Sequence, residues 1–477
     1  MKAARSVARG LAAALALVLA AGPAAAWEAQ TTHAGLAEQA AASSSLHQRL
    51  IDLGFAGGLY EELTVPPADA PELIAALDRY SPIQGFVPDQ RGRQYAVAWL
   101  VAGAVLADSN PTWAADHFLD PATGKGLRID RGFAARVSEL VAERLGRRAV
   151  PERGVAATDW VVSKDNPFGL PGFVDQYVKA VASATPGERA RALAGALVAA
   201  GAIVHVLQDM GSPSHVRDDA EAHLDRVGPA RDDLGSRFER IAALSYGRLG
   251  VPAGEAVARP SLRAYFTDAD GQGLADLTAA SYFSAHTLPR SVKVGADGRG
   301  AARGELARRL TASLRRPAPA LPSRLNLLAA SDEDGATLTG PGGVCLARYK
   351  VERGLLGWSL DDACMLDEVG QSLPRTVGYG AGLLDWLFRG ELTVTAAKGV
   401  VAISAPSALG AGDLELLAED GRGVRTSLST QAVTSAASGA PLASVNTPAG
   451  ARRVVALFHG VDDAGQPLVA VGSIAIE

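Results

Sequence analysis

His205 and Asp209 stand four residues apart at the end of a strongly apolar stretch, a spacing that puts both side chains on one face of a helix with Cβ atoms ~5–6 Å apart. An imidazole and a carboxylate so placed can chelate one metal ion. Gly211 and Pro213 break that helix, and His215 follows six residues after Asp209, so a turn can bring a third ligand beside the first two. The pair alone also fits a second reading, a buried His–Asp hydrogen bond with no metal. A second stretch ends an apolar helix at Asp108 and places His117 in a loop closed by Asp120-Pro121, from which side chains can converge on a metal. Taken singly, Asp108 and His117 also read as a helix-end residue and a loop histidine. The third stretch is Trp27 with His33 six residues later. If cleavage makes Trp27 the first residue, its α-amine has an ordinary pKa near ~7.7–8.0, so it can shed a proton and bind zinc together with its own carbonyl.

The segments that must position these groups divide the chain. Residues 1–26 carry Lys2, Arg5 and Arg9, an apolar run from Leu11 to Gly22 and the small-x-small sequence Ala24-Ala25-Ala26, the pattern of a cleaved signal peptide. Its removal takes three of 46 basic residues and none of 51 acidic ones, moving the formal charge from −5 to about −8. A secreted or periplasmic location is expected. Residues 27–315 are rich in alanine and leucine, with helical apolar spacing in 91–107, 131–147, 187–209, 232–249 and 301–314, and read as a helical bundle. The apolar runs 95–107 and 192–204 are too short to span a bilayer and read as buried core helices.

Residues 316–389 read as an irregular connector, with Pro317, Pro319, Pro322 and Gly340-Pro341-Gly342-Gly343, followed by a helix from Leu373 to Arg389 that returns to the bundle. Residues 390–477 consist of short β-branched runs between glycine-rich turns and read as a small β-sandwich. The fold class is therefore mainly α, with a C-terminal β-domain.

Composition narrows the chemistry. Two cysteines cannot build a cysteine-rich metal cluster, so a metal must be held by histidine and carboxylate; Cys345 and Cys364 are expected to pair in the exported chain. A net negative charge and 5% aromatic residues advertise neither a basic duplex-DNA surface nor a stacking platform. Neither a G-x-x-x-x-G-K phosphate loop nor a G-x-S-x-G elbow is present.

The set of Ala-x-Ala before Trp27, Thr32-His33-Ala34, Asp108 with His117-Phe-Leu-Asp120-Pro121, and His205-x-x-x-Asp209-x-x-x-Pro213-x-His215 resembles the zinc-dependent phospholipase C family of bacteria. The likeness covers roughly residues 27–290. That family shares its helical fold with the fungal single-strand-specific zinc nucleases. The resemblance implies three zinc ions: one on Trp27 and His33, a second on His117 and His205 with Asp108 as further ligand or general base, Asp209 bridging the two, and a third on His215 and Glu239. The family's third zinc also takes a histidine four residues before the acid, where this chain has Gly235. His223, Asp218 or Asp219 could substitute, though His223 also reads as a helix-surface histidine. Two zincs are thus expected to be held firmly and the third incompletely. His47, His286 and His459 read as structural or surface residues.

The chemistry implied is phosphodiester hydrolysis by a hydroxide shared between two zincs, with Asp108 orienting or deprotonating it. Phospholipid is the first substrate class expected, since Thr32-His33-Ala34 and His117-Phe-Leu-Asp-Pro stand closer to the phospholipase branch. A single-strand nuclease is the alternative, with Trp113 and Phe118 as base-stacking candidates. A third reading is a secreted binding protein whose degenerate zinc site only stabilises the bundle. For the β-domain, peripheral membrane contact and partner binding both remain open.

Overall fold

The computed structural model describes residues 29–66, 71, 92–108, 111–129, 153–224, 236–294, 325–326 and 329–476. Trp27, Gly235, the signal segment, the expected helices 131–147 and 301–314 and the Pro317–Pro322 run lie outside the described residues.

Two helices form the centre of the helical body, α2 (Ala96–Leu106) and α4 (Pro186–Asp209), after α1 (Ala34–Ser43) and the amphipathic α3 (Leu170–Ala182). Alanine-rich composition favours helix in both, and glycine gives them close contact. A Cβ on Gly103 would stand 2.0 Å from the Val198 carbonyl oxygen, and one on Gly201 would stand 1.9 Å from that of Leu100. Each helix therefore places its own glycine against the other's backbone. Mid-helix glycine costs about 1 kcal/mol relative to alanine, a cost offset here by backbone-to-backbone packing. Helix α4 starts at a capping box, with Thr185 Oγ1 accepting from Glu188 N and Glu188 Oε2 accepting from Thr185 N. It is 24 residues long and apolar enough to cross a membrane, but it is buried in the core from Ala192 onward, apart from Gly195.

Beyond α4 the chain breaks into short pieces, α5 (Pro213–Val216) and α6 (Ala220–Leu224), and then α7 (Arg237–Ser245). The returning helix, α8, spans Asp362–Leu387 and packs on α1, α4 and α7. It starts eleven residues before the expected Leu373, because Asp361 accepts from Cys364 N as an N-cap, and Pro374 is carried inside it. Ser372 Oγ donates to Gly211 O at 2.6 Å, fixing the turn that follows α4.

The connector expected to be irregular over 316–372 holds a sheet instead. Strands β3 (Val292–Lys293), β4 (Ala336–Thr339), β5 (Cys345–Glu352) and β6 (Leu355–Ser359) pair antiparallel in the order β3-β6-β5-β4, following the small two-stranded β1 (Glu62–Thr64) and β2 (Arg93–Tyr95) pair. The glycines and prolines mark the turns between these strands, and the strands themselves are short enough to be hidden among the turn signals. Cys345, at the start of β5, and Cys364, near the start of α8, form the expected disulfide.

The C-terminal segment is a β-sandwich. One sheet has the order β10 (Arg425–Val433), β9 (Leu409–Glu419), β12 (Arg453–Asp462), β13 (Pro467–Ala475); the other has β11 (Pro441–Asn446), β8 (Val400–Ser404), β7 (Thr393–Ala397). Alternation along β12 has two buried destinations. Val454, Ala456 and Phe458 enter the sandwich core, while Val455 and Leu457 join the core of the helical body. Arginines fasten the same seam: Arg189 donates to Gly423 O at 2.8 Å, Arg425 to Val181 O and Glu419, and Arg389 to Asp462 and Pro467 O.

Candidate metal centre

Asp108 lies two residues beyond the end of α2, and His205 and Asp209 occupy the last turns of α4, so the glycine contact between these helices sets their separation. His117 comes from the loop after α2, and His33 closes the π-helical turn Ala29–His33 just before α1. These five side chains converge in the core. Asp108 Oδ1 is 3.3 Å from both His117 Nδ1 and His205 Nε2. Asp209 meets all three histidines, with Oδ1 3.2 Å from His33 Nε2 and Oδ2 3.1 Å from His117 Nδ1 and 3.4 Å from His205 Nε2. His33 and His205 stack with ring centroids 3.7 Å apart, so the Asp209 oxygens and the three imidazoles form one contiguous set. All five residues are buried.

The donor atoms test whether metal fits. His33 Nε2, His117 Nδ1, His205 Nε2 and both oxygens of Asp108 and Asp209 are buried and face one another at ion-pair distance, yet make no aligned hydrogen bond among the described residues. Buried polar atoms are rarely left so, and a set of imidazole nitrogens and carboxylate oxygens aimed at common points is what cations satisfy. The supporting bonds agree. His33 Nδ1 bonds Gln208 Oε1 at 2.7 Å, which aims Nε2 at Asp209.

The five groups shift one another's proton affinity. Burial pushes the Asp209 and Asp108 carboxyls up, but the neighbouring histidines overcome it and hold both well below the usual carboxylate range. Burial pulls His117 down, and the Asp108 and Asp209 carboxylates close beside it reverse this and raise it to about 10. His33 is raised by Asp209 against the same burial, whereas burial and the charge of His33 depress His205.

A second cluster lies beside the first. His215 Nδ1 bonds the carbonyl oxygen of His117 at 3.0 Å, and Leu119 N donates to His215 O at 3.0 Å, so the two ligand loops are tied together. His215 Nε2 is left facing His223 Nδ1 at 3.3 Å and Glu239 Oε1 at 4.0 Å. His223 Nδ1 is 3.3 Å from the same Glu239 oxygen. The other oxygen of Glu239 accepts from Ser236 N at 2.7 Å, in a capping box that starts α7 and fixes the carboxylate. Burial lowers His215 to about 4, keeping its ring neutral and fit to ligate.

Of the residues expected from sequence, His33, Asp108, His117, His205, Asp209, His215 and Glu239 are brought together in these two adjoining groups; Trp27 lies outside the described residues. The reading of His223 as a surface histidine is corrected: it is buried and completes a group of three with His215 and Glu239. Asp218 and Asp219 point elsewhere, Asp218 to Arg128 N and Asp219 to Ala222 N and His286. Sequence spacing could not reveal His223, since it and His215 lie on two different short helices joined by a turn.

No protein-family model matches the chain, and no curated protein matches its sequence. Among solved structures it is similar to the alpha toxin from Clostridium absonum, at 12% identity and a TM-score of 0.25 over 94% of this chain and 95% of that one. It is also similar to the alpha-toxin of Clostridium perfringens from an avian strain, at 11% identity and a TM-score of 0.27 over 96% of this chain and all of that one. With identity and superposition both low, the character of the centre rests on its own donor set: buried clusters of histidine and carboxylate compatible with metal binding.

Proposed function

We propose that the chain is an exported zinc-dependent phosphodiester hydrolase of the phospholipase C type. The observation that carries this reading is the convergence of His33, Asp108, His117, His205 and Asp209 as unpartnered donors in a buried site. All-nitrogen and oxygen ligation with several histidines suits zinc, and His215, His223 and Glu239 supply a third place. Zinc ions held there would lower the pKa of a bound water toward ~7 and neutralise charge on a phosphodiester. Asp209 sets the spacing of the two positions that share it. Asp108, kept ionised by the histidines beside it, is an acceptor able to orient a water or take its proton. His215, whose Nδ1 is engaged by the His117 carbonyl, keeps Nε2 for a ligand.

Phospholipid is preferred to single-stranded nucleic acid because the two base-stacking candidates are engaged. Phe118 is buried and stacks on His215 at 4.1 Å, and Trp113 meets Phe168 edge-on at 6.0 Å. A nuclease needs exposed faces for bases. The complete third cluster weighs against a degenerate site that serves only the bundle. The decisive experiment measures zinc stoichiometry on processed protein together with hydrolysis of phosphatidylcholine and of single-stranded DNA. Zinc content of two or three with lipid turnover supports the proposal; zinc without turnover of either substrate favours the binding-protein reading. Vesicle sedimentation tests whether the β-domain contributes peripheral membrane contact.

A further inference from the structure

His223 reaches the third cluster from α6, a helix of five residues. So short a helix is not stable on its own, and something must hold it in place. Asp219, 4% exposed, stands immediately before it. Its Oδ1 accepts from Ala222 N at 3.1 Å, and the Asp219 carbonyl accepts from His223 N at 3.2 Å. Asp219 N in turn donates to Ser214 O at 3.2 Å, tying this point to the turn that carries His215. The carboxylate is gripped from outside by one residue, His286, whose backbone N donates to Oδ2 at 2.9 Å and whose ring Nδ1 lies 3.0 Å from Oδ1. The next residue, Thr287, accepts from Arg217 Nε at 2.8 Å, so the 284–287 turn clamps the segment at two points. Neither Asp219 nor His286 belongs to the cluster.

We propose that Asp219, anchored by His286, is the positioning residue that completes the third metal site: it fixes α6 so that His223 meets His215 and Glu239. In this chain His223, held by the clamp, takes the place of the ligand that the resemblance asks for at Gly235. The inference rests on reading the clusters as zinc sites. Ligand-orienting residues outside a metal's own shell typically change affinity by ~10–100-fold when removed.

The test is zinc affinity of the full exported chain, read by competition with a chelating dye alongside zinc content by atomic emission. Asp219→Ala should lose one zinc and keep the other two. His286→Ala, whose side chain is half exposed and whose loss should leave the fold intact, should weaken the third zinc by about 10-fold, and His286→Asn should restore it through an amide N–H that reaches Asp219. If Asp219→Ala loses its helical circular dichroism, the His286 pair decides. An unchanged third affinity in His286→Ala, or weakening that His286→Asn does not repair, overturns the clamp while leaving the metal centre standing. No zinc in the unaltered protein overturns both.

Discussion

The two clusters of the metal centre are built by opposite means. The one around Asp209 takes three of its five donors from the ends of α2 and α4, long helices pressed together through Gly103 and Gly201. The one around Glu239 takes its donors from helices of four and five residues and from the first turn of α7, joined by polar bonds through Asp219, His286 and the His117 carbonyl. Rigid packing fixes the first; a chain of hydrogen bonds fixes the second. Packed helices resist displacement because every shift loses many contacts at once, whereas a hydrogen-bonded loop opens when one or two bonds are lost. The second cluster should therefore be the one that single polar substitutions can dismantle.

The sharpest break of this comparison is Asp209→Ala. It removes the carboxylate that meets all three histidines of the first cluster, so both of the zincs proposed there and all hydrolysis should be lost, with the third zinc retained; zinc content and turnover of phosphatidylcholine measure this. Next is Gly201→Ala, whose new Cβ would press on the Leu100 carbonyl. Forcing apart two packed helices should destabilise the protein by about 1–3 kcal/mol, seen as a lower unfolding temperature, and zinc content at the first cluster should fall with it. A Gly201→Ala protein with unaltered stability would show that the helix contact does not set the site.

Smaller still should be His223→Ala and Glu239→Ala. Each should release one zinc and leave measurable turnover, unlike Asp209→Ala; activity abolished as fully as by Asp209→Ala would make the third position indispensable. The least effect is a proton count. His117, raised to about 10, carries a proton at pH 7 in the metal-free protein, and zinc needs the lone pair that proton occupies. Binding at pH 7 should therefore release protons, and apparent affinity should climb as pH rises toward 10. Calorimetry in two buffers of different ionisation enthalpy reads the release directly; heats that do not depend on buffer would contradict it.

Much of the first cluster is legible in the amino-acid sequence. His205 and Asp209 declare themselves by a four-residue spacing, and Asp108 by its place at the end of an apolar run, because a regular helix converts spacing along the chain into position in space. The β-sandwich is legible for a similar reason, since two-residue alternation and glycine turns are local. The sheet within 336–359 is not, because its strands are short and interrupted by the same residues that signal loops. Nor is the early start of α8, where the proline at 374 suggests a boundary that tertiary packing overrides.

His223 is the plainest case. Sequence alone determined that this chain holds histidines and carboxylates suited to metal and that several sit on helices able to aim them. It determined also that Gly235 stands where the resemblance asks for a ligand. Only the tertiary structure decided that an imidazole sixteen residues from Glu239 closes that gap, 3.3 Å from its oxygen. The physical reason is that a ligand on an irregular segment has no spacing rule: its place is set by Asp219, His286 and the His215 turn, contacts between residues far apart in the chain that no local pattern encodes.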